Sequence, residues 1–219
     1  MSGFKNEAIN ANFINGVLDL IITHLIKCSQ SMKADCVKNN NPLLNSEDKI
    51  TNRLVARYLN SEPSIFRYET QSPENFDDNT DLYIGRTDNK VIINNYFLKS
   101  NKYLIIECKR VDGLKLLNMK YVTEGVKRFV SFPPKYSTFY KHNIIFGYVV
   151  KTICITKNVC EIEKLQNSLL GRMTQIQKFI LEQSESSQFY VYSCSYDSEK
   201  NGCIKLKHLF YNFAEVMQK

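Results

Sequence analysis

Apolar positions first fall into a helical rhythm. Phe13, Val17, Leu20, Ile21 and Leu25 recur every three or four residues, with His24 beside them, and predict a helix over residues 10–28. The polar, Asn-rich stretch 29–41 predicts a loop. Asn45 offers an N-cap for a second helix striped by Ile50, Leu54, Val55 and Tyr58, and Pro63 marks its end. The period then shortens. Residues 65–69, 81–84, 91–98 and 103–109 predict strands, with a polar loop over 72–80 and a turn over 87–90. A helix over 116–132 stops at Pro133-Pro134, and the apolar run 143–150 predicts a buried strand. Ile162, Leu165, Leu169, Leu170, Met173, Ile176 and Ile180 predict a long helix over roughly 159–183, packed into the core. Strands over 188–195 and 203–210 close the chain, joined by a turn over 197–202.

Two helices, a run of strands, then helix, strand, helix and final strands predict one α/β domain with a central mixed β-sheet flanked by helices. The 219 residues suffice for a sizeable core, and 43% hydrophobic with 23% charged residues is ordinary globular composition. The net charge of +7 and the pI of about 8.9 suit a polyanionic partner. The seven cysteines form no C-x-x-C pair, which argues against a zinc knuckle or disulfide framework and for a reducing, cytoplasmic setting. No apolar run reaches membrane-spanning length and no signal peptide is evident, so no membrane association is expected.

The candidate chemistry lies on the strand 103–109. Alternation puts Leu104, Ile106 and Cys108 on one face and Tyr103, Ile105, Glu107 and Lys109 on the other. A buried strand carries an acid and a base together only if they are paired or bound to something. Asp81 opens a short strand; if that strand pairs antiparallel with 103–109, Asp81 comes near Glu107. Two converging carboxylates repel, and a hard divalent cation offsets the repulsion. A lysine beside such a cation can position a water, help deprotonate it or stabilise charge on a phosphate. An exposed edge strand with a same-face ion pair would carry the same letters with no chemistry.

Asp81 followed by Glu107-Cys108-Lys109 on an apolar strand resembles the PD-(D/E)xK nuclease superfamily, with its restriction-endonuclease-like fold. The resemblance covers residues 45–150, within a single domain spanning 1–219 on which the N-terminal helix and the C-terminal helix and strands pack. Thr80 stands where the family often has proline, and the span from Asp81 to Glu107 implies a hairpin insertion near 87–101. The resemblance implies Asp81, Glu107 and the Cys108 carbonyl as ligands of Mg2+, for which Mn2+ can substitute. It implies Lys109 as the catalytic lysine and Glu47 as the helix-borne acid. Glu47 can equally be a first-turn acid serving only its helix dipole, and Asp48 competes for either role.

Arg110, Lys127 and Arg128 are candidates for nucleic-acid contact, against the reading of a solvated charged face. Spacing sets Arg128 on a face with Tyr121 and Glu124, and Val122, Val126 and Phe129 on the core face. Gly125 costs about 1 kcal/mol in a helix relative to Ala and permits a close approach to the sheet. Glu69 and Glu74 are acids near the site in sequence, of which Glu69 can reach a metal but ranks below Glu47, and the three histidines show no ligand spacing. The expected activity is a divalent-metal-dependent phosphodiesterase, an endonuclease or exonuclease acting on nucleic acid, chiefly DNA, in defence against foreign DNA, with a homodimer as one arrangement. A non-catalytic nucleic-acid-binding or assembly subunit that keeps the fold is the alternative. A protein with an unrelated ligand is a third reading.

Overall fold

A computed structural model describes residues 7–61, 63–77, 82–93, 102–131, 135–136, 139–170, 174–185, 187–198 and 202–218. Helix α1 (Glu7–Lys38) runs well past the expected end. Cys28, Met32 and Cys36 continue its buried stripe at four-residue spacing beneath a polar surface. Helix α2 (Glu47–Leu54) continues into a π-helical segment, Val55–Leu59.

The main sheet is built from β1 (Phe66–Thr70), β4 (Asn89–Ile93), β5 (Leu104–Val111), β6 (His142–Val149), β7 (Thr174–Ile176), β8 (Ile180–Glu185), β9 (Phe189–Ser198) and β10 (Gly202–Asn212). Its order is β1-β4-β5-β6-β10-β9-β7, and β8 also pairs with β9, so β7 and β8 together form one broken edge. The central pairs β5–β6 and β6–β10 are parallel and the rest antiparallel, which makes the sheet mixed as expected. A separate two-stranded sheet joins β2 (Pro73–Asp77) to β3 (Leu82–Arg86).

Both faces of the sheet are covered. Leu104, Ile106 and Cys108 of β5 pack with α1 and α2. On the other face, Ile105 of β5 packs with Ile145 and Phe210 against the helical crossover between β5 and β6. That crossover is α3 (Lys115–Lys120), a π-helical segment Tyr121–Val126, and α4 (Lys127–Val130). Helix α5 (Ile155–Leu169) lies with it. Because β5 and β6 are covered on both sides, Leu104, Ile105 and Ile106 of β5 and Ile144, Ile145 and Phe146 of β6 are buried in succession rather than alternately.

Several expectations change. Pro73–Asp77, expected within a polar loop, form strand β2. The strand following Asp81 pairs with β2, and β4 takes the place beside β5 expected for it. Strand β4 therefore belongs to the main sheet rather than to an inserted hairpin, while residues 94–101 lie outside the described residues. The long C-terminal helix ends at Leu169, and Ile176 and Ile180 belong to strands. Leu170 caps the helix, and Gly171, a residue type that favours helix ends, comes next in the sequence.

Candidate active site

Strand β5 turns charged where its apolar run ends. Glu107 is fully buried and Lys109 nearly so, Lys109 against Gly125 of the π-helical segment and Glu107 against Arg128 of α4 and Tyr136. Gly125 of that segment backs the lysine: a Cβ there would lie 3.4 Å from Lys109 Cγ. The close approach expected of this glycine is therefore to the stem of Lys109. The π turn also shifts the helix phase, so Tyr121 is buried while Glu124 is exposed, against the shared face expected from spacing.

Three carboxylates gather on the Lys109 ammonium. Nζ donates to Glu47 Oε1 at 2.8 Å and to the Cys108 carbonyl at 2.7 Å. It lies 2.8 Å from Glu107 Oε1 and 3.6 Å from Asp88 Oδ2. Glu47 stands in the first turn of α2, and its other oxygen accepts the Arg110 amide at 3.1 Å. It thus bridges the helix terminus to β5, which goes beyond a dipole role. Asp48 lines the neighbouring cavities with it.

Asp81 lies outside the described residues. The aspartate that the structure places at the cluster is Asp88, which the sequence reading sets in a turn. Its Oδ2 accepts the Cys108 amide at 2.7 Å. A signal for it exists: Asp88 immediately precedes β4, and Asn89 pairs with Ile106 and Lys90 with Ile105. Carrying that antiparallel register one residue further sets Asp88 opposite Glu107.

A second residue that sequence reasoning misses is Tyr136. Its hydroxyl lies 2.6 Å from Glu107 Oε2 and 2.9 Å from the Arg86 carbonyl. Arg128 donates to the same hydroxyl oxygen and lies 3.2 Å from Glu107 Oε1. Nothing local in the sequence marks Tyr136, since 29 residues separate it from Glu107. Gly85 of β3 makes the approach possible, because a Cβ there would come within 2.8 Å of the Lys135 carbonyl.

Burial dominates the electrostatics of Glu107. It pushes the carboxyl up to about 7, with repulsion from Asp88 added and Lys109 and Arg128 opposing. Burial alone would lower Lys109, but Glu107, Asp88 and Glu47 outweigh it and hold the ammonium above its ordinary range. Arg128 is likewise lowered by burial and raised overall by Glu107. Glu107 Oε1 has no hydrogen bond of good geometry despite its two cationic neighbours.

The other candidates separate. Arg110 reaches away from the cluster to the Asn45 carbonyl at 2.8 Å and to Asn45 Oδ1 at 2.9 Å. Lys127 is exposed on α4 and lines neither cavity beside Lys109. Glu69 pairs with Arg67 at the surface, and Glu74 is held by Lys90 at 2.7 Å and Tyr103 at 2.5 Å. His208 is a core residue between Tyr121 and Tyr196, kept neutral by burial, which lowers it to about 3.

Among the described residues, no three His, Cys, Asp or Glu side chains group as a ready metal centre. The oxygens face the ammonium instead. None of the described helices is long and apolar enough to cross a membrane, and all seven cysteines are free. Comparison of the chain with protein-family models, with curated proteins and with solved structures gave no match.

Proposed function

We propose that this cluster is the centre of a divalent-metal-dependent phosphodiesterase acting on nucleic acid, within a restriction-endonuclease-like fold of the PD-(D/E)xK type. The observation that carries the reading is the convergence of Glu47, Asp88, Glu107 and the Cys108 carbonyl on one buried cation, the Lys109 ammonium. All four donors are oxygens, and carboxylate plus carbonyl oxygen is the set that hard cations such as Mg2+ or Mn2+ take. Glu107 Oε1 already faces positive charge, Lys109 Nζ at 2.8 Å and Arg128 at 3.2 Å, as an oxygen that takes a cation would. Glu107, Asp88 and the Cys108 carbonyl would hold the cation, with Glu47 beside them and Asp81 retained as a candidate ligand from the sequence.

When bound, the metal supplies Lewis-acid polarisation of a phosphoryl oxygen and neutralisation of its charge. The chain's own part follows from the charge states. Lys109, held protonated by three carboxylates, donates to a phosphate oxygen or orients a water for in-line attack. The water oxygen bonds to phosphorus, the bond to the leaving sugar oxygen breaks, the water's proton passes to solvent, and the leaving oxygen takes a proton from solvent. Arg128 and Tyr136 fix Glu107, and that rotamer costs little to hold because both oxygens already face partners.

The same ion pairing supports a second reading, a self-satisfied network in a non-catalytic nucleic-acid-binding subunit. Isothermal titration with Mg2+ and Mn2+ separates the two. The phosphodiesterase reading expects one saturable site in the wild type that Glu107→Gln removes. A wild type that binds neither metal yet still binds DNA in a salt-dependent way would establish the second.

A further inference from the structure

Lys109 lies between two cavities rather than at the end of one. A cavity of about 530 Å3 opens toward β3 and is lined by Tyr83, Arg86, Asp88, Arg128 and Lys135. A second, of about 310 Å3, opens toward α3 and is lined by Asn45, Arg110, Leu117 and Lys120. Glu47, Asp48, Lys109 and Glu124 line both, so the two are lobes of one groove that meet over the cluster.

The charges are sorted along this groove. Its shared middle is lined by Lys109 and by three acids, Glu47, Asp48 and Glu124. The β3 lobe adds Arg86, Arg128 and Lys135 against Asp88, and the α3 lobe adds Arg110 and Lys120 with no acid of its own. A ligand that ended at the centre would need one cationic lobe. A chain of phosphates lying across it would use both, with the phosphate over the acids requiring a metal and its neighbours resting on lysine and arginine. Tyr83 on the β3 lobe is 57% exposed and presents a ring on which an unpaired base can stack.

We propose that the two lobes form the bed of a single polynucleotide strand that runs through the site, so that the bond placed over Lys109 is internal rather than terminal. The path of the strand rests on the groove alone; that the bond is cut rests on the nuclease reading above.

The test begins without chemistry. Binding of a labelled single-stranded DNA oligonucleotide is followed by fluorescence anisotropy across a salt series in EDTA, for the wild type, Arg86→Glu and Lys120→Glu. Both side chains are exposed and lie outside the Lys109 cluster, and Arg86→Glu keeps the backbone carbonyl that Tyr136 and Arg128 use. Each reversal is expected to weaken binding severalfold and to reduce the log–log salt slope by about 0.7 for each phosphate that the protein no longer neutralises. If either variant binds as the wild type does, the strand does not run through both lobes and the proposal fails. A duplex of the same sequence is expected to compete more weakly; equal or stronger competition overturns the single-strand assignment. With Mg2+ added, cutting of a covalently closed single-stranded circle supports internal cleavage, and cutting confined to strands with free ends overturns it. A protein that binds through both lobes and cuts no substrate leaves the strand path standing and overturns the nuclease reading instead.

Discussion

Glu107 is the most buried acid of the cluster, and its burial makes a prediction without any ligand. Its carboxyl is raised to about 7 by burial, against an ordinary value of 4.5. Between those values the folded chain holds a proton that the unfolded chain has lost. Its contribution to stability is therefore fully present below about 4.5 and is lost as pH rises through about 7. Urea unfolding in EDTA across this range should show Glu107→Gln, which cannot titrate, gaining on the wild type as pH rises. A difference between the two that is constant with pH would show that Glu107 does not titrate in this window. At this scale the sequence is half legible. Glu107, Lys109 and Glu47 stand out because charge on an apolar strand and an acid at a helix start are local signals. Asp88 depends on which strand pairs with β5, and Tyr136 depends on a chain return that no spacing encodes.

Strand β6 and the crossover helix fix the cluster from behind. Gly147 of β6 pairs with Lys109 on one side and with Phe210 on the other. A Cβ on it would lie 2.7 Å from Phe210 Cδ1 and 3.4 Å from Val111 Cγ2. The Phe210 ring fills that space and stacks on Tyr121, with centroids 5.4 Å apart, at the start of the π-helical segment that carries Gly125. Gly147→Ala should therefore cost about 1–3 kcal/mol, as overpacking of a close-packed core does. A melt unchanged from the wild type would show that Phe210 can move freely. A glycine within an apolar strand is a readable sign of close approach, although the sequence does not say what approaches. Element types are legible where an apolar stretch runs unbroken, as in β5 and β6. They fail where one period conceals another. The four-residue stripe Cys28–Met32–Cys36 is hidden among polar neighbours, and the helical spacing of Ile176 and Ile180 continues past Gly171 into strands.

For the whole molecule, the mixed sheet between two helical layers carries β5 through the centre and delivers its charged end to an open groove. The net charge of +7 does not say where the charges lie; the fold sets Arg86, Arg128 and Lys135 in one lobe of the groove, Arg110 and Lys120 in the other, and Glu47, Asp48 and Glu124 between them. The most direct test of a metal-dependent nuclease centre at Lys109 is the rate at which purified protein cuts DNA in Mg2+, measured for the wild type, Lys109→Ala and Glu107→Gln, with an EDTA control. The expected result is cutting by the wild type that EDTA abolishes, that Glu107→Gln abolishes as well by removing a metal ligand, and that Lys109→Ala slows by about 10²–10³-fold, the cost of removing a group that stabilises charge in the transition state. Absence of cutting by the wild type, or cutting indifferent to EDTA and to both substitutions, would contradict it.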